Sequence, residues 1–306
     1  MNTLSIFTPV YNRAYIINKL YESLKRQTSY DFEWIIVDDG SEDNLGELVS
    51  NFIKEGIVNI KYIKQSNQGK HIAINKGIRN ADSVLFFIVD SDDSLKDNAV
   101  ETIINFWNQY VKKHNLSSIS GIISYRVFPS GKLVGNKLPS YVTKCKLREC
   151  VSKYHSRGDK VVIYRTEIFK QYRYPKFENE KFLGESYVFN QIDDCYDMLV
   201  MDEALYVFDY QSDGLSQKFR KLYRDNPIGF LACYEQQASL VTSKKQLHKV
   251  AAHIVCLSLK TKSFIKTLKM SYNIISPYSL IGGLYLYFKI FIFKSNDVKP
   301  YYGSDD

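Results

Sequence analysis

Two apolar rhythms alternate over the first 110 or so residues, and this alternation limits the possible folds more than any other feature. LSIFTPV (4–10) is rich in β-branched and aromatic residues and predicts a strand. Residues 14–27 then place Ile16, Ile17, Leu20 and Leu24 at helical spacing. FEWIIVDDGS (32–41) contains a second strand. Residues 43–54 carry Leu45, Leu48, Val49, Phe52 and Ile53 on a second helix, and NIKYIKQS (59–66) reads as a third strand. A short helix over 70–81 precedes VLFFIV (84–89), the fourth strand. A helix over about 95–113 follows, with Ala99, Ile103, Trp107 and Tyr110 on one side. Ser94 and Asp97 have the spacing of a cap at its start. Strand alternating with helix predicts an α/β chain whose mostly parallel sheet is covered on both faces.

The strand ends carry the chemistry. Thr8-Pro-Val-Tyr-Asn12 follows the first strand, Asp38-Asp-Gly-Ser41 the second and Asp90-Ser-Asp-Asp93 the fourth. In such sheets ligands bind beyond the carboxyl ends of the strands. Three polar segments therefore converge on one edge. Three carboxylates at the end of a buried strand are costly unless they are paired or meet a cation.

Farther on, SGIISYRVF and DKVVIYRT, within 119–165, predict more strands, and 216–272 reads as helical and basic. The stretch 273–294 is the most apolar of the chain, but Pro277, Gly282, Gly283 and Lys289 interrupt it. An interfacial or core helix is expected there rather than a membrane span. The 306 residues carry a formal net charge of +8. From Gln217 onward there are 14 Lys and Arg against 5 Asp and Glu, so the whole excess sits in this last part. Such a tail suits an anionic membrane surface, and no nucleic-acid motif accompanies it. The five Cys include no C-x-x-C pair, which predicts a reducing compartment without a disulfide framework or zinc site. The first residues lack a secretory leader pattern, so a cytoplasmic location is expected.

FTPVYNR, WIIVDDGSED, NQGKHIAINKGI and VDSDDS, in this order and spacing, resemble the family 2 glycosyltransferases. GDKVVIYRTEIFKQYRYPKFENEKFLGESYVFNQI and YVFDYQSDGLSQ resemble members that build bacterial capsule, exopolysaccharide or lipopolysaccharide. The resemblance implies the GT-A fold, a Rossmann-like mixed sheet flanked by helices. It would span about 1–216, with a basic helical extension over 217–306. It also implies inverting transfer from a nucleotide-diphosphate sugar, UDP-linked, to a surface-polysaccharide or lipid-linked acceptor.

The resemblance further implies roles for single residues. Asp92 would be the direct ligand of Mn²⁺ or Mg²⁺, and Asp90 would contact ribose or a metal-bound water. Hard cations of this kind prefer carboxylate and phosphate oxygen. Asp93 would orient the sugar or cap the next helix, and Ser91 completes the segment. Tyr11 would stack on the base, with Thr8, Pro9 and Arg13 shaping or neutralising the same site. Asp39 would accept from uracil N3–H, while Asp38 holds its own loop and Gly40 takes a positive φ. Lys70 would reach the phosphates. The family supplies its general base from a later helix, often as a Glu-Asp pair. Gly184-Glu185-Ser186 stands there, so Glu185 is the candidate base and the second acid is missing.

Other readings weigh less. Nucleotidyltransfer would call for a Gly-rich basic loop after the first strand, which TPVYNRAY lacks, and G-x-x-x-x-G-K-[ST] is absent. The missing second acid leaves one alternative, a non-catalytic nucleotide-sugar-binding or scaffold protein of a polysaccharide assembly complex.

Overall fold

The computed structural model describes residues 2–209, 211, 219–241, 243–271 and 273–293. The boundary expected at 216/217, Lys294 and most of YVFDYQSDGLSQ beyond Asp209 lie outside the described residues.

The elements begin with β1 (Leu4–Val10), α1 (Ile17–Lys25), β2 (Phe32–Asp38), α2 (Leu45–Glu55), β3 (Ile60–Lys64) and α3 (Lys70–Arg79). Then come β4 (Leu85–Ile88), β5 (Ser94–Leu95), α4 (Ala99–Val111), β6 (Ile119–Val127), β7 (Lys144–Cys145) and α5 (Glu149–Ser152). The chain continues through β8 (Lys160–Arg165), α6 (Thr166–Phe169), α7 (Ser186–Cys195) and β9 (Asp197–Val207). Helices α8 (Phe219–Asp225), α9 (Pro227–Leu240), α10 (Lys244–Lys260), α11 (Phe264–Ser271) and α12 (Pro277–Tyr287) follow, and a wider turn over Phe288–Ile292 continues α12.

Packing divides the chain into two units. The first holds Met1–Tyr174 and Val188–Gln211; the second takes Pro175–Tyr187 and the described residues from Phe219 on. The second unit therefore draws in a segment from inside the span 1–216.

In the first unit the described strands form one sheet in the order β3-β2-β1-β4-β8-β6-β9-β5, with β7 also on β9. β3, β2, β1 and β4 are parallel, as the strand–helix alternation predicts. β8 runs antiparallel to both β4 and β6, so the sheet is mixed. Consecutive Leu85, Phe86 and Phe87 are all within 1% of full burial, which requires cover on both faces. Below the sheet, Tyr21 of α1 stacks on Phe52, and both rings pack beside Trp34. Above it, Phe86 meets Phe7 and Phe169. Burying each such ring contributes about 2–3 kcal/mol.

The cap expected from Ser94 and Asp97 does not form. Ser94 and Leu95 instead pair with Val207 and Tyr206, and this extended backbone delays the helix to Ala99. Asp97 takes a hydrogen bond from Arg26.

The second unit has its own core, built from Tyr223, Phe230, Tyr234, Val250, Ile254, Leu257 and Ile290. Segment 175–187 is tied to it by Glu180. Its carboxylate accepts from the amides of Ile228 and Gly229, at 2.8 and 2.7 Å, at the start of α9. A carboxylate at this position pairs with orphan N–H groups and the positive helix end. Among the described residues no helix is long and apolar enough to cross a membrane.

Candidate active site

The parallel strands β2 and β1 end side by side, Val10 opposite Asp38, and β4 runs the same way beside β1, ending at Ile88 opposite Phe7. The loops after them meet through hydrogen bonds. Asn12 N–H donates to Ser41 Oγ at 3.0 Å, and Asn12 Oδ1 accepts from Glu42 N–H at 2.9 Å.

The loop after β2 is held by its own acids. Asp38 Oδ1 accepts from Ser41 N–H at 2.7 Å and Oδ2 from the Tyr62 hydroxyl at 2.6 Å, the loop-holding role expected of it. Gly40 has φ +81°, and a Cβ there would lie 2.7 Å from Asn67 N. Only glycine fits both demands. Asp39 is 4% exposed and accepts three hydrogen bonds: Gln65 Nε2 and Gln68 N–H on Oδ1, each at 2.8 Å, and Gly69 N–H on Oδ2 at 2.7 Å. A carboxylate offers about four acceptor positions, so one on Oδ2 remains.

Asp39 thereby fixes the residue that opens α3. From that helix start Lys70 Nζ reaches Asp90 Oδ1 at 2.6 Å. Burial disfavours the charge on Asp90, yet Lys70, then Arg126 and Arg13, hold its carboxyl below the usual carboxylate range. Burial and then the Asp90 charge push Asp92 up. Asp93 is pushed up to about 7, chiefly by burial. Both Asp93 oxygens are engaged: Oδ2 by the Tyr206 hydroxyl and Oδ1 by Asp209 N–H at 2.9 Å.

The three acids of the turn are therefore unequal. Asp93 is committed to the structure beneath, through Tyr206 of β9 and Asp209, two residues beyond that strand. Asp90 carries a lysine counter-ion. Asp92 takes a hydrogen bond from its own backbone N–H and sits unfavourably charged beside Asp90. A hard divalent cation would relieve that arrangement, and oxygen donors suit it. Asp90 and Asp92 are the carboxylates of this turn that could offer oxygen to such an ion, Asp90 only in exchange for Lys70. Among the described residues no group of three or more His, Cys, Asp or Glu could hold a metal by itself.

The other expected residues of the first unit stand on or just after β1 and in the acidic turn. Thr8 is fully buried, and its Oγ1 accepts from Trp34 Nε1 at 2.9 Å. Pro9 lies within β1, paired with Val37. Tyr11 is 45% exposed beyond β1. Arg13 bonds the Tyr15 hydroxyl, and its charge is felt by Asp90 and Asp92. Ser91 is buried. Glu185 is half-buried in the second unit, one residue before α7.

Sequence pattern alone does not reach Arg126, Tyr206 and Asp209, which β6 and β9 bring to the acidic turn. Arg126 lies 4.7 Å over the Tyr206 ring, and its Nε has no hydrogen-bond partner among the described residues. Its one sequence signal is a charge at the end of an apolar strand, SGIISYRVF. Asp209 is salt-bridged to Lys19 at 2.6 Å.

Comparison with known proteins places this geometry. The model of the family described as "Glycosyl transferase family 2" matches residues 5–195. The chain is similar to the Staphylococcus aureus poly(ribitol-phosphate) beta-N-acetylglucosaminyltransferase TarP, 33% identical over 138 residues, 44% of this chain and 40% of TarP. It spans a quarter to a third of the length of the first curated relatives it matches. Among solved structures it is similar to S. aureus TarS 1–349 in complex with UDP-GlcNAc, with a TM-score of 0.56 and 16% identity over 99% of this chain and 95% of that one. It is also similar to the Pyrobaculum calidifontis mannosyltransferase PcManGT in complex with GDP-Man and Mn²⁺, with a TM-score of 0.53 and 13% identity over 93% and 86%. At such identities the structural likeness shows the fold alone, which is GT-A. With the family pattern matched across more than half of its length, the chain belongs to glycosyl transferase family 2.

Proposed function

We propose that the chain transfers a hexosyl or related unit, with inversion, from a UDP-linked sugar to a surface-polysaccharide or lipid-linked acceptor. One observation carries this reading. The turn after β4 locks Asp93 through Tyr206 and Asp209, and so leaves Asp92 and Asp90 to meet a cation and a diphosphate. TarS was solved with UDP and with UDP-GlcNAc, and PcManGT with GDP-Man and Mn²⁺, which supports a nucleotide-sugar donor and a divalent ion. TarP, a poly(ribitol-phosphate) beta-N-acetylglucosaminyltransferase, supports a polymeric acceptor.

Asp92, with Asp90 beside it, would hold Mn²⁺ or Mg²⁺. Such an ion, when bound, offsets the negative charge that develops on a departing diphosphate. Tyr11 would lie against the base, and Asp39 would offer its remaining acceptor position to uracil N3–H. Lys70, Arg13 and Arg126 would share the charge of the phosphates, Lys70 leaving Asp90 to do so. Ser91, Thr8 and Pro9 would shape the floor of the pocket. Glu185 would take the proton of the acceptor hydroxyl as it attacks the anomeric carbon from the face opposite the diphosphate. The transferase domain would cover 1–216 and the basic extension 217–306, working in the cytoplasm against the inner face of the plasma membrane.

A panel of nucleotide sugars, each with Mn²⁺ and with chelator, tests the reading. A UDP-sugar should raise the melting temperature with the metal, and acceptor should release UDP. Binding without release of UDP under any acceptor would support the scaffold alternative. Failure of every nucleotide sugar to bind would overturn the proposal.

A further inference from the structure

The richest feature outside the rim is the outer side of α12. Residues 236–296 contain nine Lys and not one Asp or Glu. Within that stretch α12 is seated on α10 by its small residues: a Cβ on Gly283 would lie 2.5 Å from Val255. Ser279 and Ile290 are buried on the same side. The opposite side carries Tyr278, Ile281, Tyr285, Phe288 and Ile292, spaced three and four residues apart along one helical face. Tyr278 is 80% exposed, Ile281 68% and Tyr285 62%. Lys289 Nζ stands 5.6 Å from the centre of the Tyr285 ring, so a cation lies on the apolar stripe.

We propose that this face lies in the plane of an anionic lipid bilayer. The inference rests on the face itself and not on the transfer reaction. Exposed Tyr, Phe and Ile would enter the boundary between headgroups and acyl chains, and the lysines would stay with the phosphates. From Pro277 to Ile292 the helical stretch is about 24 Å long, shorter than the ~30 Å hydrocarbon core, so it lies along the surface and does not cross. The charge selects the occupant. Pairing this face with a second copy would bring two acid-free, lysine-rich segments together, whereas an anionic bilayer neutralises them.

Flotation of the full chain with vesicles tests this. Phosphatidylcholine vesicles are compared with vesicles containing an equal share of phosphatidylglycerol, at low and high salt. The chain should float with the anionic vesicles at low salt, and roughly ten-fold less with neutral ones. Ile281→Asp combined with Tyr285→Asp should lower anionic binding by about ten-fold or more. Tyr141→Asp, at a 78% exposed site in the first unit, should leave it unchanged. Far-ultraviolet circular dichroism and UDP binding are read on the same samples, which separates loss of fold or of donor binding from loss of attachment. Three results would each overturn the proposal: no flotation with anionic vesicles, equal flotation of the double variant, or a dimer that the double variant dissolves.

Discussion

Lys70 Nζ stands 2.6 Å from Asp90 Oδ1, and it reaches there because Asp39 fixes Gly69 one residue before it. Arg13 and Arg126 add their charges to the same carboxylate. Asp90 thus already has its counter-ions, and a bare divalent ion must compete with Lys70 for its Oδ1. Lys70→Met should strengthen Mn²⁺ binding without nucleotide, by about five-fold for a pair worth ~1 kcal/mol. It should weaken UDP binding by a similar factor or more. Electron paramagnetic resonance of free Mn²⁺ reads the first effect and calorimetry the second. Weaker metal binding without nucleotide would contradict the counter-ion role.

Glu185 is the one candidate outside the first unit. Glu185→Gln keeps shape and hydrogen bonding but cannot take a proton. Donor affinity should stay within about two-fold, while transfer falls by roughly 10²–10⁴. Nucleotide titration and acceptor-dependent UDP release, run on one preparation, separate the two. Transfer near the wild-type rate would place the base elsewhere.

His71, next to Lys70 on α3, is 2% exposed, and neither ring nitrogen has a hydrogen-bond partner among the described residues. Burial holds its imidazole down at about 4. The unfolded value is near 6.5, so between the two the unfolded chain binds more protons. Stability contributed by the neutral ring is therefore complete above about pH 6.5 and lost as the pH falls towards 4. His71→Leu should flatten that part of the curve, by up to ~3 kcal/mol at its lower end. His253, also held down at about 4 by burial, is present in both proteins and cancels in the comparison. Melting curves taken from pH 7 to 4.5 should diverge; parallel curves would remove His71 from the balance.

Gly40→Ala should cost about 1–3 kcal/mol, because φ +81° strains an L-residue and the new Cβ would press on Asn67 N. Chemical denaturation measures it. A loss below half a kcal/mol would mean that the loop relaxes freely.

The parallel half of the fold was readable because its strands are buried on both faces and its helices carry apolar stripes. VLFFIV and the stripe through Ile17, Leu20 and Leu24 speak for themselves. The acidic turn was readable for the same reason: charge at the end of such a strand stands out. What surrounds the turn was not. Tyr206 and Asp209 meet Asp93 across more than a hundred residues, and only strand pairing brings them there. Ser94 looked like a cap, but pairing with Val207 outweighed local preference. Segment 175–187 joins the second unit through Glu180 on the amides that open α9, a long-range bond with no local signature.

Asp92 carries the central claim. Calorimetric titration of UDP into wild type and Asp92→Ala, each with and without Mn²⁺, tests it most directly. Wild-type affinity should rise at least about ten-fold with the metal, while the variant, folded to the same melting temperature within a few degrees, should show no metal effect. Equal enhancement by Mn²⁺ in both proteins would contradict the account.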